Sequence, residues 1–238
     1  MNQKKIKEFE EKIGYSFENP NLLMTALTHS SYSNEKRLKK YQCNERLEFL
    51  GDAVLELISS EYIFQNNVTK PEGVLTRIRA SYVCEPTLAL CAREIDLGYY
   101  ILLGKGEDAS GGRERDSILS DALEATIGAV YLDGGFECAR EYVNRFVLQD
   151  IEQKKLFYDS KTILQEMVQG DHRSLHYELL SESGPDHHKS FTVAVMIDGK
   201  QVASATDRTK KKAEQSAAYQ AILQMGVRSS HEGETECI

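Results

Sequence analysis

The sequence predicts an all-helical domain over 1–152 and, after a linker at 153–159, an α+β domain over 160–226 in the order α-β-β-β-α, with a polar tail at 227–238. Three observations predict this. Apolar residues recur at three- and four-residue spacing from Ile6 to about Phe157, the period of helices that bury one face. Beyond Ser160 the pattern changes to short runs such as Phe191–Ile197, which alternates weakly, and Asp198-Gly199 is a strong two-residue hairpin signal. At 238 residues the chain suffices for one large domain or two smaller ones.

Each element has a local reason. Ile6 and Phe9 begin an amphipathic helix, and Asn19-Pro20 starts the next, which carries Leu22, Leu23, Ala26 and Leu27. Asn44 is placed to cap a long helix whose apolar stripe is Leu47, Leu50, Val54, Leu55 and Ile58. Pro71 introduces a helix through Thr76, Ile78 and Val83, and another follows Pro86. The segment GKGEDASGG over 104–112 is polar and glycine-rich and is expected to be a mobile surface loop. Ser117 to Leu132 returns to helical spacing, Asp133-Gly134-Gly135 stops it, and Phe136 to Leu148 is the last helix of this part.

In the second part a short amphipathic helix runs from Lys161 to Gln169 and ends at Gly170. Strands are expected at His176–Glu182, Phe191–Ile197 and Gln201–Thr206. Arg208 to Met225 closes the domain as a helix, with Ala213, Ala217, Ala218, Ala221 and Leu223 facing inward. The polar residues after Gly226 are expected to fray.

Composition narrows the function. With 41% apolar and 28% charged residues, the chain reads as soluble and globular. The longest weakly polar run, Ala122 to Leu132, contains Glu124 and is too short for a bilayer, so no membrane association is expected. The first residues are charged without an apolar core, so no secretory signal is read. Cys43, Cys84, Cys91, Cys138 and Cys237 are scattered, with no C-x-x-C pair or zinc spacing, which points to reduced thiols and a cytoplasmic setting. The net charge of -8 argues against a uniformly basic nucleic-acid binder. Locally the picture differs: residues 1–159 carry 20 basic and 26 acidic side chains, whereas 160–224 carry 8 of each, segregated along the chain.

Glu45, Glu48 and Asp52 stand at i, i+3 and i+7 along one edge of the stripe begun by Leu47. Like charges stacked on one face repel, so something outside the helix must compensate. A second pair, Asp121 and Glu124, stands i, i+3 among Ile118, Leu119, Ala122, Ala125, Ile127 and Ala129. Two readings stay open on residues alone. The acids are solvated faces or partners of Arg46, Arg77 or Arg79, or Glu48, Asp52, Asp121 and Glu124 gather into an oxygen-donor site of the kind that suits magnesium or manganese. Gly51, inside the first helix, costs about 1 kcal/mol against alanine; close packing or backbone approach to a ligand would explain it, and Gly128 is similar. The glycines of 104–112 lack the Lys-Ser/Thr of a phosphate loop, so nucleotide binding is rejected.

At the other end, Lys210, Lys211 and Lys212 begin a helix behind Arg208 and Thr209, combining positive charge with unsatisfied backbone N–H groups. The loop 184–188 can present His187, and Thr162, Gln165 and Glu166 offer polar contacts suited to ribose hydroxyls. Shape, 2′-hydroxyls and phosphates are how an A-form duplex is commonly read. A solvated lysine run with surface histidines is the plainer alternative.

Taken together, NERLEFLGDAVL over 44–55, ALTHSSY over 26–32, PEGVLT over 71–76 and DALEATIGAVYLDGG over 121–135 resemble bacterial ribonuclease III. KTILQE over 161–166, GPDH over 184–187, FTV over 191–193 and KKKAEQ over 210–215 resemble a double-stranded-RNA-binding domain. The resemblance covers nearly the whole chain. It implies an all-helical endonuclease domain followed by an α-β-β-β-α RNA-binding domain, and Mg2+, replaceable by Mn2+, at Glu48, Asp52, Asp121 and Glu124 as catalytic residues. Asn44, Glu45 and Glu72 would support the site. The implied protein is a homodimer through its endonuclease domain that hydrolyses double-stranded RNA with cation-activated water. The products would carry 5′-phosphate and 3′-hydroxyl ends with two-nucleotide 3′ overhangs, and the substrates would be ribosomal RNA precursors and other structured transcripts. A non-catalytic RNA-binding factor is the alternative. One departure stands out: where related binding domains often carry G-x-G-x-S-K-K, residues 205–211 read ATDRTKK, without either glycine and with an added Asp207. Weaker or more salt-sensitive RNA binding is expected from it.

Overall fold

A computed structural model of the chain describes residues 3–39, 41–151, 156, 160–184 and 189–225. The chain divides into two units, Met1–Ile151 and Glu152–Ile238. The expected linker at 153–159, apart from Leu156, and the expected tail at 227–238 lie outside the described residues. Among the described residues no helix is long and apolar enough to cross a membrane.

The first unit is helical throughout. It comprises α1 (Gln3–Ile13), α2 (Pro20–Ala26), α3 (Ser30–Glu35), α4 (Glu45–Asn66), α5 (Glu72–Tyr82), α6 (Glu85–Glu94), α7 (Leu97–Tyr100), α8 (Lys105–Ala109), a 3-10 turn at Gly112–Glu114, α9 (Asp116–Val143) and a π-helical turn at Asn144–Leu148. Its core draws on α1, α2, α4, α6 and α9, and Phe9, Leu23, Leu55, Leu88, Leu119 and Ile127 are fully enclosed. The first turns of α9 bury Ile118, Leu119, Ala122, Leu123, Ala125, Ile127, Ala129 and Val130, so this helix is apolar nearly all round, as a central helix must be.

Helix α4 packs on α9 more extensively than any other helix pair in this unit. Two glycines allow the close approach. A methyl group at Gly51 would overlap the main-chain carbonyl of Glu124, and one at Gly128 would overlap the carbonyl of Leu47. This reciprocity decides between the two readings of the helical glycines in favour of packing. Gly135 (φ 80°, ψ -173°) breaks α9 where the Asp133-Gly134-Gly135 stop is expected, and a second helical segment starts at once. The Asp133 carboxylate accepts the Tyr15 hydroxyl and the Glu18 and Asn19 N–H groups, each at 2.9 Å, which ties the α1–α2 connection to this break.

Three local expectations change. Asn44 precedes α4, but its backbone is helical and its side chain makes no cap bond; its carbonyl instead accepts Leu47 and Glu48 N–H at 2.8 and 2.9 Å. The 104–112 segment is folded, not loose. Arg113 secures it by donating to the carbonyls of Gly98 at 2.9 Å and Ile101 at 2.8 Å and to the Asp108 carboxylate at 2.7 Å. The short helices α3 and α7 are additions, since four to six residues carry too little period to be seen in sequence.

The second unit comprises α10 (Ser160–Gly170), β1 (Leu175–Ser183), β2 (Ser190–Ile197), β3 (Lys200–Asp207) and α11 (Lys210–Gln224). The strands form an antiparallel sheet in the order β1-β2-β3, with Tyr177 opposite Val195 and Val195 opposite Ala203. Asp198 (φ 50°) and Gly199 (φ 74°) both adopt the left-handed conformation, as a tight hairpin turn requires. The Asp198 carboxylate also holds Arg173 Nε at 2.7 Å and the Ser174 N–H at 2.9 Å. Leu164, Val168, Val195, Ile197, Ala217, Ala218, Ala221 and Ile222 make the core. Leu223, expected inside, is 46% exposed, because two residues beyond Ala221 the helix has turned by about 200°; Ile222 fills the position. Helix α11 begins at Lys210 because Thr209 Oγ1 accepts the Lys212 N–H at 3.2 Å.

Candidate functional site

The Gly51–Gly128 crossing sets one turn of α4 against one turn of α9, and the acids ride on those turns. One carboxylate oxygen each from Glu48, Asp121 and Glu124 comes together, all within 4.8 Å of one another. All three residues are half-buried. None of the ion pairs among the described residues includes these acids or Asp52. Two of the three arginines that could have neutralised them are engaged elsewhere: Arg79 donates to Ser60 Oγ at 3.0 Å and Arg77 to the Gly73 carbonyl at 3.4 Å. Arg46 belongs to no described ion pair, and the solvated-pair reading thereby loses its counterions.

Confinement shows in the protonation equilibria. Burial, followed by repulsion from Asp52, Asp121 and Glu48, raises the Glu124 carboxyl to about 8. Burial also raises Glu48, with Asp121, Glu45 and Asp52 adding to it. Asp121 is raised by burial, eased by a hydrogen bond from the Ser120 hydroxyl, raised again by Glu85 and eased by His29. A proton or a cation relieves such a cluster; nothing in it is positive.

The other expected residues separate. Asp52 is exposed and outside the three-oxygen group, yet close enough to act on Glu48 and Glu124. Glu45 is exposed beside Glu48. Asn44 is buried, and its N–H donates to the Thr28 carbonyl at 2.8 Å, anchoring the start of α4. Glu72 is not brought into the cluster: at the start of α5 it accepts the Thr76 hydroxyl at 2.7 Å and lines a separate cavity with Leu57, Ser60, Phe64 and Arg79. Sequence reasoning did not single out His29 or Glu85, whose charges act on the Asp121 carboxyl, nor Phe49, which is 80% exposed on α4. Phe49 had a signal, an aromatic side chain off the buried stripe; Glu85 had none.

In the second unit Thr162, Gln165 and Glu166 are exposed on α10, and Arg208, Lys210, Lys211 and Lys212 are exposed at the start of α11. Helices α10 and α11 pack on each other, and Lys161 pairs with Glu214 at 2.6 Å between them. None of the four cations enters an ion pair among the described residues. Asp207 Oδ1 accepts the Arg208 N–H at 2.6 Å, which holds its carboxylate at the residue that precedes the lysine run by two positions. His187 lies outside the described residues.

Comparison with known proteins agrees with this architecture. Residues 19–151 match a family described as ribonuclease-III-like, and residues 160–225 match the double-stranded RNA binding motif. The chain is 46% identical over 222 residues to ribonuclease 3 of Caldanaerobacter subterraneus subsp. tengcongensis, spanning 92% of this chain and 97% of that one. It is also 46% identical over 232 residues to ribonuclease 3 of Pelotomaculum thermopropionicum, spanning 96% of each. The crystal structure of the nuclease domain of ribonuclease III from Campylobacter jejuni is 45% identical, with a TM-score of 0.56 over 61% of this chain and 95% of that domain. Fold and matches define a helical ribonuclease-type domain followed by a double-stranded RNA binding motif. The chain belongs to the ribonuclease III family.

Proposed function

We propose that the protein is a divalent-metal-dependent endoribonuclease acting on double-stranded RNA. The observation that carries the proposal is the convergence of Glu48, Asp121 and Glu124 within 4.8 Å with no cationic side chain among them. An all-oxygen, half-buried donor set fits Mg2+, with Mn2+ as its substitute, better than zinc or copper. Glu48, Asp121 and Glu124 hold the cation, and Asp52 stands at the rim as the fourth carboxylate. When bound, such a cation activates water and neutralises charge developing on a scissile phosphate. Glu45 adds negative potential at the mouth, Asn44 fixes the first turn of α4, and Glu72 supports RNA near the subunit interface.

Lys210, Lys211, Lys212 and Arg208 hold phosphates at the start of α11, while Thr162, Gln165, Glu166 and His187 meet ribose and backbone groups of the duplex. A second copy of the chain covers α4: exposed Phe49 stands beside an apolar cavity lined by Leu22, Tyr41, Leu47, Leu50 and Leu132. One structure of the Campylobacter jejuni nuclease domain is described by flexibility in a region involved in dimer formation, which supports this reading. Each of two sites then cuts one strand, leaving 5′-phosphate and 3′-hydroxyl ends with two-nucleotide 3′ overhangs. Cytoplasmic ribosomal RNA precursors and structured transcripts are the substrates.

The test is a long RNA duplex incubated with protein and Mg2+, followed by end mapping. Short duplexes with two-nucleotide 3′ overhangs are expected, and chelation should abolish them. A duplex that is bound but left intact would favour the non-catalytic RNA-binding reading.

A further inference from the structure

The lysines at the start of α11 share their helix with an acid. Glu214 stands four residues after Lys210 and three after Lys211, the spacings at which side chains on a helix become neighbours. A carboxylate at that position is within reach of both lysines and competes with a phosphate for them. Yet neither lysine enters an ion pair among the described residues.

The other helix takes the carboxylate instead. Glu214 Oε2 lies 2.6 Å from Lys161 Nζ, in the first turn of α10, and the Glu214 side chain is only 18% exposed. Lys161 is held in turn by β1: its ammonium stands 4.8 Å from the centre of the Tyr177 ring. One residue earlier, the buried Ser160 hydroxyl donates to the Gln215 carbonyl at 2.9 Å. Residues 160 and 161 of α10 are therefore tied to residues 215 and 214 of α11. Burial, and after it the Glu214 charge, push the Tyr177 hydroxyl up to about 12, as an inward-facing acid requires. Helix α11 thus turns its acid toward α10 and β1, and its lysines toward water. Ion pairs open to solvent contribute little to stability, so the larger consequence of this one is where it directs the acid.

We propose that Lys161 is a positioning residue for duplex binding: it sequesters Glu214 against α10 and so leaves Lys210 and Lys211 unpaired for RNA phosphates. Without Lys161, the nearest cations along the helix of Glu214 are those same lysines, and the acid neutralises one of them. This role rests on the reading of Lys210 and Lys211 as phosphate contacts.

The test is a double-mutant cycle on the full-length protein. Binding is measured in chelator, so that no strand is cut, across a salt series, with an RNA duplex of about 16 base pairs, the span of one such module. Lys161→Met keeps an unbranched stem over Tyr177 and removes the charge, and Glu214→Gln removes the acid. Lys161→Met should weaken binding by about three- to fivefold at low salt and lower the slope of log affinity against log salt by about 1, the loss of one effective cation. Glu214→Gln should change little in the parent, but in the Lys161→Met background it should restore both affinity and slope. A pair that served the fold alone would move the unfolding temperature and leave the slope unchanged. In the parent itself, side-chain ammonium NMR should show a hydrogen-bond coupling from Lys161 to the Glu214 carboxylate and none from Lys210 or Lys211. A coupling to Lys210 or Lys211 would overturn the proposal without any substitution. So would an effect of Glu214→Gln that is equal in both backgrounds, since Lys161 would then be touching RNA itself. A Lys161→Met variant with the parent's slope would overturn this inference alone if replacing both Lys210 and Lys211 with alanine still weakens binding. If that replacement has no effect, the phosphate reading falls, and this inference with it.

Discussion

The acidic cluster of α4 and α9 and the lysine cluster of α11 differ in more than sign. The lysines are consecutive, exposed and local: a single helix start places them, and water screens their repulsion. The acids come from two helices far apart in the chain and are half-buried where those helices touch. Holding like charges in a partly desolvated place is unfavourable unless a proton or cation joins them. One site is an electrostatic surface that tolerates variation; the other is a strained arrangement that the core must enforce. Changes at the first should alter affinity by degrees, and changes at the second should act on chemistry and folding together.

The largest expected effect is at Glu124. Glu124→Gln should lower cleavage at limiting Mg2+ by about 10²–10³-fold, with duplex affinity preserved, measured by single-turnover cleavage beside filter binding. The same variant should be more stable than the parent without cation. The Glu124 carboxyl titrates near 8 in the fold against 4.5 for the ordinary side chain, so its ionised form destabilises the folded state. That penalty is absent below about pH 4.5, grows as pH rises and is complete above about pH 8. Unfolding curves in chelator should therefore coincide at pH 4 and separate by on the order of 1 kcal/mol or more at pH 8.5. A parent protein as stable as the variant at pH 8.5 would contradict the buried-charge account. In the parent, cation binding should tighten over the same rise in pH, as protons leave the acids.

Gly51→Ala comes next. Its methyl group would run into the backbone of α9 at the Glu124 carbonyl and the Gly128 nitrogen, which no side-chain movement can relieve, so the helices must part. A loss of about 3 kcal/mol is expected on thermal unfolding, together with weakened Mn2+ binding. Retained stability and affinity would show that the crossing is looser than described. Replacing both Lys210 and Lys211 with alanine should act on the other pole. Duplex binding should weaken at every salt concentration, and the slope of log affinity against log salt should shrink by about 1 per lysine. Stability should change by no more than about 0.5 kcal/mol. The smallest effect belongs to Asp207→Asn, which removes a negative charge from the residue before Arg208 and should strengthen duplex binding by about 0.5 kcal/mol at low salt and not at high salt.

How much of this could be read beforehand follows the same division. Asp198-Gly199 named its hairpin turn, and Thr209 its helix start, because a turn or cap depends on a few adjacent residues. Leu223 misled because alanines mark the inward face of α11 only loosely and a small error in phase turns one side chain outward. The glycines of 104–112 suggested looseness, but Arg113, through its bonds to Gly98 and Ile101, was the deciding residue. Asn44 has the right residue type for a cap and is spent instead on backbone links to Thr28 and the first turn of α4.

By itself the sequence determined the helical and α+β halves, the family, and which carboxylates and lysines carry charge into each half, since periodicity and motif are properties of neighbouring residues. Tertiary structure alone decided that Gly51 and Gly128 exist for each other, and that Glu48, Asp121 and Glu124 meet while Asp52 stays at the rim. The physical reason is that desolvation and repulsion depend on distances through space. Those distances are set where two helices touch, and no spacing along one of them contains that information.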